Sequence, residues 1–424
     1  MGATRRFIRA VRGASRGPLG VPLILAILTQ AVGVGSQLLV VIVVARAWGP
    51  EGQGEYGLFK SWSDFLTGAL HLGLPQGFVY PLNKGGFDHR FLHRWSVAYA
   101  FAILAVAAAA NYAAFTAGLL PPEGSLAISV LMLSVSAWGY TYFSLMRGIY
   151  LTVDDRHRFS ALTVTPSVAL LLVVLLSVGQ SDPHFPMLFS AVGIAAAAAA
   201  WLASRGLPKE LGNAADRLSW RGVLSQSLNA FLQALFFAVQ QVLTLAAMSV
   251  VGAGLNILGH FNLAIVAVLA INSVVAMVSP ILYNHWSKAL DRAHLPVLVR
   301  RFVGVALAVG GVLSVSIFFA TEALPLVVGT DFGPAAGAIR LMGAIAAPLI
   351  FTRLCQPALP AVGLAALATW LGAVRLGLVG ALFLGAVMTG RDPLLGASAA
   401  WVAAEWVTAA LLWWHVKSAP AATE

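Results

Sequence analysis

The sequence predicts an all-α polytopic membrane protein of about 12 transmembrane helices, arranged as two six-helix lobes related by a pseudo-twofold repeat. Three observations predict it. Of 424 residues, 59% are hydrophobic and only 10% charged, against about 25% charged in a typical globular chain. Apolar runs of spanning length recur with little between them. The basic residues fall almost entirely in alternate connecting segments. The composition excludes a disordered chain, a disulfide scaffold and a nucleic-acid-binding domain, and with Cys355 as the only cysteine no intramolecular disulfide or paired-cysteine metal site can form.

The runs lie at residues 19–45, 57–80, 95–118, 126–147, 159–179, 184–203, 222–250, 258–284, 302–320, 334–353, 361–388 and 394–415, numbered spans 1 to 12 in chain order. Each approaches or exceeds the roughly 20 residues needed to cross the hydrocarbon. Backbone groups in lipid must pair internally, so these runs form helices. The net charge of +10 is an orientation signal: with the N-terminus inside, 21 of the 26 Lys and Arg lie in inner segments, as the positive-inside rule requires. Both termini are expected on the cytoplasmic face of a bacterial inner membrane. The apolar run after Arg5-Arg6-Phe7-Ile8 is too long for a signal-peptide core and is read as a retained span. Arg5, Arg9, Arg12 and Arg16 fit either a short helix on an anionic leaflet or a disordered basic tail.

The domain organisation follows. Residues 1–18 are a basic cytoplasmic segment, 19–203 the N-terminal lobe, 204–221 a cytoplasmic linker, 222–416 the C-terminal lobe and 417–424 a tail. Gln30, Gln37 and Gly49 match Gln233, Gln240 and Gly252 at an offset of 203, and Gly54, Tyr56 and Pro75 match Gly259, Phe261 and Pro280 at 205. Six spans per half keep the repeats parallel, as in transporters built from two halves about an axis along the membrane normal.

Gly52-Gln53-Gly54-Glu55-Tyr56-Gly57 has the letters of a dinucleotide fingerprint but follows a membrane span rather than a strand. Its glycines are expected to form a tight outer turn. The longer stretch Ala45-Arg46-Ala47-Trp48-Gly49-Pro50-Glu51-Gly52-Gln53-Gly54-Glu55-Tyr56-Gly57 resembles the signature after the first span of polysaccharide (Wzx-type) flippases. These belong to the multidrug/oligosaccharidyl-lipid/polysaccharide (MOP) exporter superfamily. Leu324-Pro325-Leu326-Val327-Val328-Gly329-Thr330-Asp331-Phe332-Gly333-Pro334-Ala335-Ala336 is similar to that family's entry to the tenth span. Trp48 and Gln53 depart from the usual leucine and aromatic residue. The resemblance implies two lobes around a central cavity lined largely by spans 1, 2, 7 and 8, with alternating access. It also implies a substrate: a polyprenyl-pyrophosphate-linked oligosaccharide flipped from the cytoplasmic to the outer leaflet, for surface polysaccharide biosynthesis.

The polar residues within spans are the candidate site. In span 7, Gln226, Asn229, Gln233 and Gln240 share one helical face, and in span 1 Gln30 and Gln37 repeat the spacing. Such stripes face either a water-filled lumen or neighbouring helices bonded to them as packing glue. Asn262 and Asn272 in span 8 are further cavity candidates. Lys60 and Asp64, one turn apart in span 2, either pair structurally or supply a carboxylate for a coupling cation. Arg375 and Glu405 lie at one depth in the span 11–12 hairpin and are expected to pair. Arg340 in span 10 has no acidic neighbour in sequence and is the candidate anion contact. Arg46 is expected to snorkel to the interface.

No metal-ligand cluster, nucleophile elbow or P-loop occurs, so no enzyme, metal or organic cofactor is expected. Coupling to H+ or Na+ and to the membrane potential stays open. Expected partners are membrane lipids, the lipid-linked oligosaccharide, and a glycan polymerase or other assembly proteins, with no nucleic acid. Two other readings are a cation-coupled multidrug exporter of the same superfamily and, from another class, a membrane glycan polymerase or ligase. The outer loops, about 5–15 residues long, leave little room for the latter's catalytic groups.

Overall fold

The structure, a computed structural model, describes residues 20–79, 82, 88–121, 123–153, 155–180, 183–208, 220–289 and 294–418. The basic N-terminal segment, residues 209–219 of the expected linker and the last six residues lie outside these. The described residues are helical throughout, with no strand.

The first half comprises α1 (Gly20–Leu70), α2 (Leu74–Gly77), α3 (His89–Ala102), α4 (Leu104–Thr116), α5 (Leu126–Tyr150), α6 (Arg156–Ser177) and α7 (Phe185–Ser204). The second comprises α8 (Trp220–Val250), α9 (Leu255–Ala289), α10 (Leu295–Ala320), α11 (Leu324–Val328), α12 (Ala335–Gly343), α13 (Ala346–Cys355), α14 (Ala358–Ala361), α15 (Ala365–Met388) and α16 (Pro393–Ser418). Ten segments are long and apolar enough to cross a bilayer, and Ala335–Gly343 with Ala346–Ala361, bent by 47°, make an eleventh. The first of the ten, Ala31–Gly77, has 47 residues, about 70 Å of helix against about 30 Å of hydrocarbon. It is two passes, because Gly49 at φ 66° and ψ −166° breaks α1 into two arms. Twelve passes result, as the sequence predicts.

Gly49 takes a backbone conformation that a side chain would disfavour, and Pro50 then opens the second arm, where its missing N–H costs no helical bond. The expected turn glycines are therefore placed differently. Gly52, Gly54 and Gly57 lie inside the second arm, where Gly54 and Gly57 permit close helix packing instead. The helix of span 2 breaks after Leu70, in a turn where Leu72 and Gly73 have φ of 51° and 67°, and resumes as α2 to Gly77, three residues short of the expected limit.

The surface is apolar and the interior holds many polar groups. Leu176, Val312, Phe319 and Leu384 are exposed, whereas Asn111, Ser136, Thr141 and Gln240 are buried. So apolar a surface suits a lipid surround. Small residues bring backbones together: a Cβ on Gly139 of α5 would overlap the Gly193 carbonyl of α7.

The two halves repeat the same packing. Tyr56 in the second arm of α1 stacks on Phe189 of α7 at 5.9 Å, and its repeat mate Phe261 in α9 meets Trp401 of α16 edge-on at 6.3 Å. Gln37 bonds to Ser167 of α6, and Asn229 of α8 bonds to Thr369 of α15. Spans 2 and 6 thus correspond to 8 and 12, and spans 1 and 5 to 7 and 11.

Candidate functional site

The halves touch near both ends of the bundle. At the end carrying Gly49, a Cβ on Gly54 would lie 3.0 Å from the Gly259 nitrogen, and one on Gly259 would lie 3.0 Å from the Gly54 nitrogen. One turn further on, a Cβ on Gly57 would come within 2.6 Å of the Asn262 side chain. Arg46 closes the same end: its Nε donates to the Val327 carbonyl at 2.7 Å and its Nη2 to the Leu326 carbonyl. Arg46 is exposed there, and the two carbonyls it reaches lie at the C-terminus of α11. At the far end, Gly73 packs against Ser227 and Phe231, and Gly77 against Ser227 and Val223.

Between these closures lies Lys60–Asp64, an ion pair with side chains 23% and 46% exposed. Asp64 is ten residues beyond Gly54 and nine before Gly73, about 14 Å from each along a helix. A half-exposed carboxylate at mid-depth is costly against lipid and stable against water or protein.

The amide stripes engage neighbouring helices. Gln37 Nε2 donates to Ser167 Oγ at 3.3 Å, Thr369 Oγ1 donates to Asn229 Oδ1 at 3.1 Å, and Gln356 Nε2 donates to Gln233 Oε1 at 2.8 Å. Gln240 is 2% exposed, and its Oε1 has no partner among the described residues. Asn262 Nδ2 donates to the Gln53 carbonyl at 3.2 Å, across the halves. Asn272 is half-buried, with its Oδ1 unpartnered among the described residues. The side chains of Gln30 and Gln226 lie outside the described residues. Arg340 is apart from this group: exposed, it donates from Nε to Thr321 Oγ1 at 2.7 Å and covers the Phe318 ring at 5.0 Å.

Arg375 and Glu405 form a buried pair at 3.3 Å, and Thr352 Oγ1 donates to the second Glu405 oxygen at 2.8 Å. The structure adds residues that sequence reasoning missed. Arg353 Nη1 donates to Gln356 Oε1 at 3.0 Å, so a polar chain runs from Gln233 through Gln356 to Arg353. Phe237 lies under both arginines, at 4.7 Å from Arg353 and 5.3 Å from Arg375. The sequence signal for them is Arg353 one turn before Gln356 within an apolar run. Among the described residues no group of three or more His, Cys, Asp or Glu could hold a metal ion.

No family model matches the chain, and no curated protein does. Solved structures do. An inward-facing multidrug resistance MATE family transporter of the MOP superfamily aligns with a TM-score of 0.67 and 13% identity, over 93% of this chain and 97% of that one. The lipid II flippase MurJ, in an inward closed conformation, aligns with a TM-score of 0.69 and 14% identity, over 94% of this chain and 88% of the other. A MOP superfamily transporter from Pyrococcus furiosus, described by the reversed polarity of its binding pocket, aligns at 0.64 and 15% over 95% and 96%. At such identities the likeness is one of fold. Across nearly its whole length, the chain has the fold of MOP superfamily transporters.

Proposed function

We propose that the protein is a flippase moving a polyprenyl-pyrophosphate-linked oligosaccharide from the cytoplasmic to the outer leaflet of a bacterial inner membrane, for surface polysaccharide assembly. The observation that carries this reading is the half-exposed Lys60–Asp64 pair at mid-depth between two closures of the same pair of halves. A polar space with a closure on each side is what alternating access requires. A glycan cannot cross hydrocarbon without leaving its hydroxyls unpaired. A polar space between the lobes carries the sugar while the lipid tail stays in the bilayer. Opening one closure while the other holds moves the glycan across, provided the substrate binds the two states differently.

The sequence contains no nucleotide-binding motif. An inside-negative potential favours outward movement of the anionic headgroup by about 2.3 kcal/mol per charge per 100 mV. Asp64 is the group for coupling to H+ or Na+, with Lys60 neutralising it between uptakes. Membrane lipids and glycan-assembly proteins such as a polymerase are the partners of this function, and both termini are cytoplasmic.

A cation-coupled multidrug exporter is the second reading, favoured by the fold shared with MATE transporters and by the same carboxylate. Deleting the gene separates the two. The flippase reading expects loss of surface glycan and lipid-linked repeat units retained on the inner leaflet. Normal surface glycan with new sensitivity to cationic drugs establishes the exporter instead.

A further inference from the structure

Within the second half, α8, α13, α15 and α16 line a partly open cavity of about 50 Å³. That volume holds a few waters. Arg353 and Arg375 both line it. Their one buried carboxylate partner, Glu405, accepts from Arg375. Two guanidinium groups against one carboxylate leave a single positive charge, and no carboxylate is among the residues that line the cavity.

The hydrogen-bond account shows the same excess. Arg353 spends Nη1 on Gln356, while its Nε and Nη2 are buried with no partner among the described residues. Arg375 spends Nη1 on Glu405, and its Nε is likewise buried and unpartnered. Phe237 supports both cations with its ring face, which offers attraction but no acceptor in the plane of the donors. Native proteins rarely leave buried donors of this kind unanswered. An uncompensated arginine at membrane depth is costly for the same reason. Beside the cluster, the backbone breaks by 47° between α12 and α13, an irregularity tolerated at this depth where protein or a cavity surrounds it.

We propose that this cavity binds one small monovalent inorganic anion of the halide class, held by the guanidinium groups of Arg353 and Arg375 that line it. The anion supplies the missing negative charge. Occupancy also fixes Arg353 against Gln356, and through the Gln356–Gln233 bond it steadies α8, whose first turns pack on Gly73 and Gly77 of the other half. The site is separate from the lipid-linked glycan, so its occupancy is measurable without one.

The test uses the purified full chain in nanodiscs, in gluconate buffer free of halide. Bromide titrated into wild-type protein is expected to bind saturably, near one per chain, and to raise the melting temperature as any ligand of the folded state does. Arg353→Gln is expected to weaken bromide binding at least tenfold. Glu405→Gln, which removes the competing carboxylate, is expected to strengthen it several-fold. Absence of saturable bromide binding to wild-type protein overturns the proposal without recourse to any variant. So does wild-type affinity in a monodisperse Arg353→Gln protein, or displacement of bromide by methylene diphosphonate at lower concentration than by chloride.

Discussion

Arg46, in the last turn of the first arm of α1, donates its Nε to the carbonyl of Val327, 281 positions later and in the other half of the molecule. The two segments that resemble the flippase family therefore touch each other, one supplying the guanidinium and the other the exposed helix C-terminus. A hydrogen bond from a charged donor contributes about 1.5–3 kcal/mol, here to one closure of the bundle. Arg46→Gln is expected to shift the balance toward opening at this end by roughly ten- to a hundredfold. Thiol labelling of an Asn262→Cys reporter measures it, since residue 262 is 4% exposed in the closed arrangement and the native Cys355 is itself buried. An unchanged labelling rate in Arg46→Gln removes Arg46 from the closure.

Gly54 and Gly259 are mates in the sequence repeat, and each lies against the other's backbone. The same offset relates Gly57 to Asn262, which are also in contact. Equivalent residues can meet in this reciprocal way only at the pseudo-twofold axis, as in an isologous interface. Gly259→Val is expected to destabilise the closed end by about 1–3 kcal/mol through overpacking and to raise labelling at residue 262 in parallel. Gly68→Ala, where a Cβ meets nothing within 4 Å, is the control and should leave labelling unchanged.

Much of this arrangement was legible in the sequence, for physical reasons. Span count and the repeat depend on apolar length and glycine spacing, which one chain displays directly. The Arg375–Glu405 pair was legible because a helical hairpin sets depth by residue count. The roles of Gly54 and Gly57 were not: a glycine required by a turn and one required by close packing look alike until the partner helix is known. The destinations of Gln233 and Asn229 were hidden likewise, because periodicity fixes a shared face without fixing its neighbours. Arg340 shows the limit for charge, having found a hydroxyl and an aromatic ring rather than an acid.

The Arg375–Glu405 pair is expected to matter more through what its loss leaves behind than through its own attraction. Arg375→Met leaves Glu405 buried and is expected to cost about 3–5 kcal/mol. Adding Glu405→Leu to that variant should recover part of the loss, since neither member of the pair is then left buried without the other. Denaturant unfolding in detergent measures both, and equal loss in the single and double variants would show that packing rather than charge holds this hairpin.

Lys60 and Asp64 should behave in the opposite way. Partly exposed pairs contribute about 0–1 kcal/mol, so Asp64→Asn and Lys60→Gln should each leave the melting temperature nearly unchanged. On the proposed coupling role, Asp64→Asn removes the ion-binding carboxylate, and transport driven by an imposed ion gradient in proteoliposomes is expected to fall at least tenfold. Lys60→Gln keeps the carboxylate and should retain coupling with a changed pH dependence. Equal transport by wild type and Asp64→Asn removes this carboxylate from coupling.

Asn111 is fully buried in the alanine-rich α4, and it ties three spans together. Its Oδ1 accepts from Trp62 Nε1 at 2.7 Å, and its Nδ2 donates to Ser134 Oγ at 3.1 Å. A lone amide in an apolar run bonds to a neighbouring helix because lipid offers no alternative. Asn111→Leu strands the indole N–H, and an orphaned buried donor costs about 1–3 kcal/mol. Replacing Trp62 by Phe and Ser134 by Ala as well removes the stranded groups and should restore part of the stability. Unfolding of the purified variants in detergent decides between bond and shape. If the triple variant is no more stable than Asn111→Leu, side-chain volume rather than the hydrogen bonds joins spans 2, 3 and 4.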